Sequence, residues 1–264
     1  MGAFAIKILV FLATAYLAVL AILVVMQSRL IYPAPQQLHL PAPGFGEVSL
    51  DTSDGLTLNA HWRAPDAGRP TIVWFHGNGG SLAGATNETR LVSEHGYGLL
   101  LVNYRGYGGN PGEPSEEGFY KDGRAAMAFL EAQGIAVART VIAGNSIGSG
   151  TAVQMASEHD VAALMLISPF TSLTDAASDA LPIFPVRLLL RDRFDNSAKF
   201  PALDLPILVL HGDADGVVPY EHGEALAKSN PAAQFVGFPG AGHDLTFLRR
   251  SQAAQLAWLA DRGL

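Results

Sequence analysis

The sequence contains no cysteine among its 264 residues. This absence excludes a thiol nucleophile, a disulfide framework and any metal site built from thiolates. Basic residues are also few: 17 lysines and arginines stand against 24 aspartates and glutamates, for a formal net charge of −7 and with no basic run. A nucleic-acid partner is therefore not expected. Chains without cysteine occur in reducing and oxidising compartments alike, so the composition leaves the compartment open.

Charged residues are missing altogether between Ile8 and Met26. At about 1.5 Å per residue, a helix of this length nearly crosses a hydrocarbon core of about 30 Å. The stretch has no polar face, which a core helix normally has. It is also long for a signal peptide, and it ends in Met26-Gln27-Ser28-Arg29, a poor cleavage site. We predict a retained single-pass anchor, with a cleaved signal as the alternative.

The charges that flank this stretch give a weak indication of topology. Lys7 and the terminal amine precede it, and Arg29 follows it. Positive charge favours the cytoplasmic side of a membrane, so the balance leans slightly towards an inside N-terminus, with the rest of the chain outside. The predicted location is a membrane, with that orientation preferred.

A proline-rich segment follows, with prolines at positions 33, 35, 41 and 43. Such a segment is stiff and extended rather than helical. The remaining length is suited to one domain with one core. We therefore divide the chain into an anchor over residues 1–30, a linker over residues 31–45 and one folded domain over residues 46–264.

Short apolar runs alternate with amphipathic stretches through the rest of the chain. The runs predict strands at 47–50, 56–62, 71–75, 99–102, 140–143, 163–167, 207–210 and 234–238, and the stretches predict helices at 83–94, 116–133, 148–158, 221–228 and 245–259. This alternation predicts an α/β fold with a mostly parallel central sheet covered by helices on both faces. Ligand sites in such folds lie in the loops beyond the carboxyl ends of the strands.

The first candidate catalytic residue follows the strand at 140–143. Ser146 lies in Gly144-Asn145-Ser146-Ile147-Gly148, between that strand and the next predicted helix. A serine on a sharp strand-to-helix turn needs glycine on both sides, because the helix packs closely against the strand. The turn would expose the hydroxyl as a nucleophile and present the N–H of Ile147 to a developing oxyanion.

A serine nucleophile needs a base, and position selects one of the eight histidines. His243 lies between the last predicted strand and the last predicted helix. His76 and His211 each end a strand before a glycine, so we expect them to shape their loops. No two histidines are spaced as metal ligands on a helix with a carboxylate partner, so neither a metal nor another cofactor is expected.

An acid must orient the base, and two candidates follow the strand at 207–210. Asp213 and Asp215 both lie in the loop after that strand. Either residue satisfies the chain order serine, acid, histidine that this fold requires.

A glycine-rich loop follows the strand at 71–75 and runs His76-Gly77-Asn78-Gly79-Gly80. It matches neither phosphate-binding pattern, G-x-x-x-x-G-K-[ST] or G-x-G-x-x-G. Its backbone N–H groups are instead expected to face Ser146. We predict an oxyanion hole formed by the N–H groups of Asn78 and Ile147.

With these residues in place, the chain resembles the α/β-hydrolase superfamily, in particular its membrane-anchored branch of serine-peptidase-like hydrolases and depalmitoylating thioesterases. The resemblance covers nearly everything after residue 32. It is carried by His76-Gly77-Asn78-Gly79-Gly80, Asn103-Tyr104-Arg105-Gly106-Tyr107-Gly108, Gly144-Asn145-Ser146-Ile147-Gly148, His211-Gly212 with Asp215 and Val218-Pro219, and Gly242-His243. It implies Asp215 as the acid, three residues after the His-Gly pair. Asn103 and Asn110 depart from the aspartate and serine that the family often has there.

The resemblance also bears on the cap and the substrate. Many lipases of this superfamily insert a large helical cap where this chain has a short, proline-interrupted interval after Ile167, so we expect a minimal cap and an open site. The expected reaction is hydrolysis of an ester, thioester or amide through an acyl-enzyme, and the anchor favours lipid or acylated-protein substrates. A serine peptidase with the same residues is the alternative. A non-catalytic binding protein on this fold is a further alternative, which the presence of all three catalytic residues disfavours.

Overall fold

Eight strands form one sheet in a computed structural model of the protein, which describes residues 2–264. The strands are β1 Gly46–Asp51, β2 Thr57–Arg63, β3 Thr71–Phe75, β4 Gly98–Val102, β5 Thr140–Asn145, β6 Ala163–Ile167, β7 Ile207–Gly212 and β8 Ala233–Phe238. They lie in the order β1-β2-β4-β3-β5-β6-β7-β8. Only β2 runs against its neighbours, so the predicted mostly parallel sheet is confirmed.

Side chains alternate between two apolar cores, one on each face of the sheet. Val73 and Phe75 of β3 belong to one core, while Ile72 and Trp74 belong to the other. Every residue of β3 is buried, which matches a strand covered by helices on both sides. The continuous apolar runs in the sequence are the consequence of this two-sided burial.

Ten α-helices surround the sheet: α1 Gly2–Ile31, α2 Leu82–Glu88, α3 Arg90–Glu94, α4 Glu116–Ala132, α5 Gly148–Glu158, α6 Leu173–Ala180, α7 Val186–Leu189, α8 Asn196–Lys199, α9 Tyr220–Ser229 and α10 Arg249–Ala260. Two predicted helices are interrupted. The one at 83–94 breaks at Thr89, whose hydroxyl bonds the carbonyl of Ala85 and competes with the helix. The one at 245–259 begins with a 3₁₀ turn over His243–Phe247 and restarts after the extended Leu248.

The cap is the segment between β6 and β7. It consists of the three short helices α6, α7 and α8 and their connections. Pro182 and Pro185 interrupt it between α6 and α7, where they prevent one longer helix from forming. This is the minimal cap that the sequence predicts.

Helix α1 is the one helix within residues 2–264 that is long and apolar enough to cross a membrane. A signal sequence near an N-terminus meets the same description, so the helix could be a membrane span or a signal. Its second half contacts the cap. Tyr16 stacks on Phe184 with ring centroids 5.5 Å apart, and its hydroxyl donates to the carbonyl of Ile183 at 2.9 Å.

The segment after α1 is extended, as predicted, but it packs against residues 46–264. Tyr32 is only 4% exposed and packs edge-on against Phe119 of α4. Its hydroxyl donates to Asp192 of the cap at 2.8 Å. Further on, the carbonyl of Pro35 accepts the N–H of Gly108 at 2.7 Å. The division into anchor, linker and catalytic domain remains a prediction, but residues 32–35 pack against residues 46–264.

Candidate active site

The four loops that carry the predicted site residues all lie at the carboxyl edge of the sheet. Asn78 follows β3, Ser146 and Ile147 follow β5, Asp215 follows β7 and His243 follows β8. The order of the strands makes β3 a neighbour of β5, and β7 a neighbour of β8. Parallel strands end at the same edge, so residues far apart in the chain meet there.

The turn that carries Ser146 is tight. The serine has φ +52°, a left-handed conformation that costs free energy for any residue with a Cβ. A Cβ on Gly144 would lie 2.4 Å from the carbonyl oxygen of Gly148, and a Cβ on Gly148 would lie 2.2 Å from the carbonyl oxygen of Phe75. Larger residues cannot occupy either position without moving the backbone. The two glycines of the motif are therefore required by the packing of α5 against β5 and β3.

Ser146, His243 and Asp215 are joined by hydrogen bonds. Nε2 of His243 lies 3.0 Å from Oγ of Ser146, and Nδ1 of His243 lies 2.8 Å from Oδ2 of Asp215. The ionised carboxylate only accepts, so Nδ1 carries the proton and Nε2 is free to accept the serine hydroxyl. The serine is 7% exposed, and the histidine side chain is 22% exposed. This is the geometry of a nucleophile, a general base and an orienting acid.

The carboxylate of Asp215 is held from several directions. Its Oδ1 accepts the backbone N–H groups of Val217 and Val218, each at 2.9 Å, and its Oδ2 lies 3.3 Å from Nε2 of His211. Burial raises the pKa of this carboxyl, but the hydrogen bonds from His211, His243 and Val218 outweigh it and hold the pKa far below its usual range. The acid therefore stays ionised.

His211 contributes more than the loop-shaping role expected from the sequence. Its Nε2 also lies 3.0 Å from the carbonyl of Val218, which can only accept, so Nε2 carries a proton and can donate to Asp215 as well. The imidazole is fully buried. The available sequence signal was the spacing of the His-Gly pair before Asp215, because a histidine at the carboxyl end of β7 lies beside the loop that follows.

Asp213, the competing acid, is placed differently. It is exposed, and its Oδ1 accepts the backbone N–H of Gly240 at 2.6 Å. It thus connects the β7 loop to the loop that precedes His243. No hydrogen bond joins it to the imidazole in residues 2–264.

The glycine-rich loop after β3 is oriented by His76. Its Nδ1 lies 2.8 Å from the carbonyl oxygen of Gly77, which also accepts the N–H of Gly80 at 3.0 Å. Burial lowers the pKa of His76, so the imidazole is neutral and donates from Nδ1. The two ends of a trans peptide point in opposite directions, so fixing the carbonyl of Gly77 also fixes the N–H of Asn78. Within the described residues, neither that N–H nor that of Ile147 donates to a protein acceptor.

The loop after β4 supports the glycine-rich loop. The hydroxyl of Tyr107 donates to the side-chain oxygen of Asn78 at 2.9 Å. The side chain of Asn103 donates to the carbonyl of Tyr107, and that of Asn110 donates to the carbonyl of Asn103. The two asparagines that depart from the family pattern therefore close this loop with their amides. Arg105 anchors it to α4 through Asp122, with Nε 2.8 Å from the carboxylate.

Glu88 is a buried acid beside the nucleophile turn that sequence reasoning missed. It lies on α2, is 4% exposed and accepts the indole N–H of Trp74 at 2.7 Å. Burial raises its pKa from 4.5 to about 7, against hydrogen bonds from Trp74 and Asn145, with Asp244 adding repulsion. The sequence shows only that Glu88 lies in a predicted amphipathic helix. Nothing in that pattern indicates that this glutamate is buried.

This pKa predicts a pH-dependent stability. Between about pH 4.5 and pH 7 the folded chain binds more protons at Glu88 than the unfolded chain, so the free energy of unfolding falls as pH rises through this window. Glu88→Gln keeps an acceptor for Trp74 but removes the titration. We expect the variant to gain about 2–3 kcal/mol relative to the wild type between pH 4.5 and pH 8. Urea unfolding across this range measures the difference, and parallel curves for the two proteins would contradict it.

Comparison with known proteins identifies the family. A family profile described as alpha/beta hydrolase fold matches residues 70–199, and one described as TAP-like protein matches residues 191–259. The uncharacterized protein Rv2307c of Mycobacterium tuberculosis is 36% identical over 229 residues, covering 83% of this chain and 80% of the relative. The chain belongs to the α/β-hydrolase superfamily. The resemblance to this superfamily that was seen in the sequence is thereby confirmed.

Solved structures share the fold. An α/β hydrolase from Vibrio vulnificus superposes with a TM-score of 0.71 at 23% identity, covering 90% of this chain and 92% of that one. The esterase Pf2001 of Pyrococcus furiosus superposes with a TM-score of 0.69 at 18% identity, covering 86% of this chain and 95% of that one. At these identities the likeness shows the fold alone. The predicted α/β-hydrolase fold is confirmed, and family and fold together support a hydrolase.

Proposed function

We propose that this protein is a serine hydrolase that cleaves an ester, thioester or amide bond through an acyl-enzyme on Ser146. The observation that carries the proposal is the unbroken hydrogen-bonded chain from Ser146 through His243 to Asp215, with distances of 3.0 Å and 2.8 Å. Serine is a weak nucleophile unless a base accepts its proton, and this chain supplies one. The esterase among the structural neighbours agrees with an ester substrate.

The reaction follows from the protonation states of the three side chains. Oγ of Ser146 attacks the substrate carbonyl carbon while Nε2 of His243 accepts the hydroxyl proton. The tetrahedral intermediate collapses, the bond to the leaving group breaks, and His243 gives its proton to the departing alcohol, thiol or amine. Water then attacks the acyl-enzyme with His243 again as base, which releases the carboxylic acid and regenerates Ser146. Asp215 stays ionised throughout and stabilises the imidazolium.

The negative charge that develops on the substrate oxygen needs donors. We assign this role to the backbone N–H groups of Asn78 and Ile147. Support comes from the peptide orientation fixed by His76 and from the lack of a protein acceptor for either N–H within residues 2–264. Each such donor contributes about 3–4 kcal/mol to transition-state stabilisation in related chemistry.

Trapping a common intermediate tests the acyl-enzyme. Phenyl and p-nitrophenyl esters of one short acid are hydrolysed in the presence of hydroxylamine, which competes with water for the acyl group. An acyl-enzyme gives the same ratio of hydroxamate to acid from both esters, because the leaving group has already departed. A ratio that depends on the leaving group would show direct attack by water and refute the proposal. Matched thioesters and peptides in the same assay rank the substrate classes, including the peptidase alternative.

We further propose that α1 is retained as a membrane anchor. Full-length protein should then sediment with membranes and resist extraction by high salt or alkali, since insertion of a spanning helix is effectively irreversible. A chain that starts at Tyr32 keeps this buried residue and should be soluble and active on water-soluble esters. Fractionation, together with the N-terminal sequence of the mature protein, checks this prediction. Soluble protein with a new N-terminus after Met26 would show a cleaved signal, and a misfolded truncated chain would show that α1 is needed for folding.

A further inference from the structure

The cap exposes large apolar side chains beside α1. Ile183 is 72% exposed and Leu188 is 82% exposed. The carbonyl of Ile183 accepts the hydroxyl of Tyr16 at 2.9 Å. The carbonyl of Leu189, which follows Leu188, lies 3.4 Å from Nε2 of Gln27. Both exposed side chains therefore belong to the part of the cap that contacts α1, and exposed apolar side chains that lie close together mark a surface that binds protein or lipid.

The same part of the cap carries exposed positive charge. Arginines stand at positions 187, 191 and 193, and all three are exposed, although the whole chain has a formal net charge of −7. Arg187 pairs with Asp175 at 2.7 Å. Arg191 and Arg193 form no ion pair within residues 2–264. Positive charge that no carboxylate of the protein neutralises is suited to an anionic partner.

Asp192, which lies between the two unpaired arginines, is directed into the protein. Its carboxylate accepts the hydroxyl of Tyr32, which is only 4% exposed, at 2.8 Å. Arg29, in the last turn of α1, is a further exposed arginine that has no ion pair in the described part of the chain. It lies close to the cap, because Oε1 of Gln27, two residues earlier, accepts the backbone N–H of Arg191 at 3.0 Å. Three unpaired arginines therefore lie near the end of α1.

The cap reaches the level of the bilayer when α1 spans it. Among residues 2–264 the contacts of α1 with the cap begin at Tyr16, and the preceding residues 2–15 extend only about 21 Å. A hydrocarbon core is about 30 Å thick, so at least about 9 Å of it lies level with the cap. From Tyr16 to Gln27 the helix rises about 16 Å. When Arg191 beside Gln27 lies among the lipid headgroups, Ile183 beside Tyr16 therefore lies among the acyl chains. The Tyr16 hydroxyl is bonded to the cap, as burial in lipid requires.

We propose that this side of the cap binds the surface of a bilayer that contains anionic phospholipids. Ile183 and Leu188 enter the outer part of the hydrocarbon, while Arg29, Arg191 and Arg193 contact the lipid phosphates. Arginine suits this position, because its apolar stem lies along lipid and its planar guanidinium binds phosphate with two hydrogen bonds. The inference rests on the proposed membrane anchor. It adds a second contact with the membrane, made by the catalytic domain itself, and the class of lipid that this contact requires.

The absence of cysteine makes a fluorescence test specific, because one introduced cysteine takes a single fluorophore. The full-length Leu188→Cys, Val10→Cys and Ser157→Cys variants are labelled with nitrobenzoxadiazole and placed in vesicles of equal parts phosphatidylcholine and phosphatidylglycerol. A nitroxide on the lipid acyl chain quenches a fluorophore that lies in the hydrocarbon. Val10 on α1 is 60% exposed and reports the anchor, whereas Ser157 on α5 is exposed and lies outside the cap. We expect quenching at positions 10 and 188 and none at position 157.

The arginines are tested in the Leu188→Cys protein. Near an anionic surface each arginine strengthens binding about fivefold, so Arg191→Gln with Arg193→Gln should weaken the binding of the cap about 25-fold. Quenching at position 188 should then fall towards its value in vesicles of phosphatidylcholine alone. Arg90→Gln with Arg249→Gln is the matched control, because both arginines are exposed, lie on α3 and α10 and remove the same charge. This pair should leave the quenching at position 188 unchanged.

The possible results separate the cap contact from the proposals on which it rests. Quenching at position 10 without quenching at position 188 would overturn the cap contact and leave the anchor in place. A fluorophore at position 188 that is blue-shifted but not quenched would show that a second protein chain covers this surface, which also overturns the proposal. Equal quenching in both kinds of vesicle and in both arginine pairs would overturn the anionic lipid. No quenching at position 10 would overturn the anchor, and the cap contact with it. Labelling of Ser146 by a fluorophosphonate shows in each variant whether the active site is formed.

Discussion

Replacing Ser146 with alanine is expected to lower kcat by about 10⁶-fold, because the variant cannot form the acyl-enzyme. Removing His243 should cost nearly as much, and the double variant little more, since the two side chains act as a unit. The hydroxyl and Nε2 are 3.0 Å apart, which supports this coupling. Steady-state rates on a short ester measure all three variants. Losses that multiply, with the double variant far slower than either single variant, would show that the two residues act separately.

The matched control for Ser146→Ala is Ser157→Ala. Ser157 lies on α5, the helix that follows the nucleophile, and is exposed. Its hydroxyl donates to the carbonyl of Gln154 in the preceding turn. Within residues 2–264 it makes no hydrogen bond to the imidazole of His243. We expect its removal to leave the rate within about twofold and the stability within about 0.5 kcal/mol of the wild type.

The second large effect is expected at Asp215. Asp215→Asn should lower kcat by up to about 10⁴-fold in a folded protein, because an amide facing Nδ1 favours the wrong tautomer of His243 and cannot stabilise the imidazolium. The carboxylate accepts from Val217, Val218 and His243 at 2.8–2.9 Å, and an asparagine can keep the two backbone bonds through its oxygen. Circular dichroism and urea unfolding show whether the variant keeps its fold while the rate falls.

Asp213→Asn is the matched control for this substitution. Asp213 accepts the N–H of Gly240, a bond that an asparagine oxygen also makes, so we expect a loss of only a few-fold in rate. Both aspartates lie in one loop, and each substitution removes one negative charge. The two variants therefore undergo a similar change in long-range electrostatics. A larger loss at position 213 than at position 215 would show that the wrong acid has been assigned.

The meeting of the candidate catalytic residues was predictable because each lies where a strand ends. Ser146 and His243 follow apolar runs that are strands in the structure, and the order of the strands brings their loops together. Position in the chain alone did not decide whether Asp213 or Asp215 is the acid, and the family resemblance favoured Asp215. The hydrogen bond at 2.8 Å between Asp215 and His243 agrees with that choice, since it depends on the path of the β7 loop rather than on composition.

The contact between α1 and the cap was not predictable. A helix that is apolar on every side gives no pattern to show which face packs against protein and which faces lipid. The glutamine at position 27 was the one hint, because a polar side chain near the end of an apolar run needs partners, and Gln27 finds them at Arg191 and Leu189. Those partners lie more than 160 residues away, in a segment whose short helices carry little periodicity.

The roles of His211 and Glu88 were hidden for a different reason. Both are polar groups buried beside the candidate catalytic residues, and burial of a polar group depends on tertiary contacts. His211 lies within 3.3 Å of Asp215, and Glu88 accepts the indole N–H of Trp74. Trp74 and Glu88 are 14 residues apart in the chain, and His211 and Asp215 are four residues apart across a loop. Local patterns therefore carry little information about these contacts.

The most direct test of the central claim is the site of reaction with a fluorophosphonate. Full-length protein is incubated with the reagent, its residual esterase activity is followed, and the adduct is located by peptide mass mapping. We predict one adduct per chain, on the peptide that contains Ser146, formed in proportion to the loss of activity and absent in Ser146→Ala. Complete inactivation with the adduct on another residue, or full esterase activity after stoichiometric labelling of Ser146, would contradict the account.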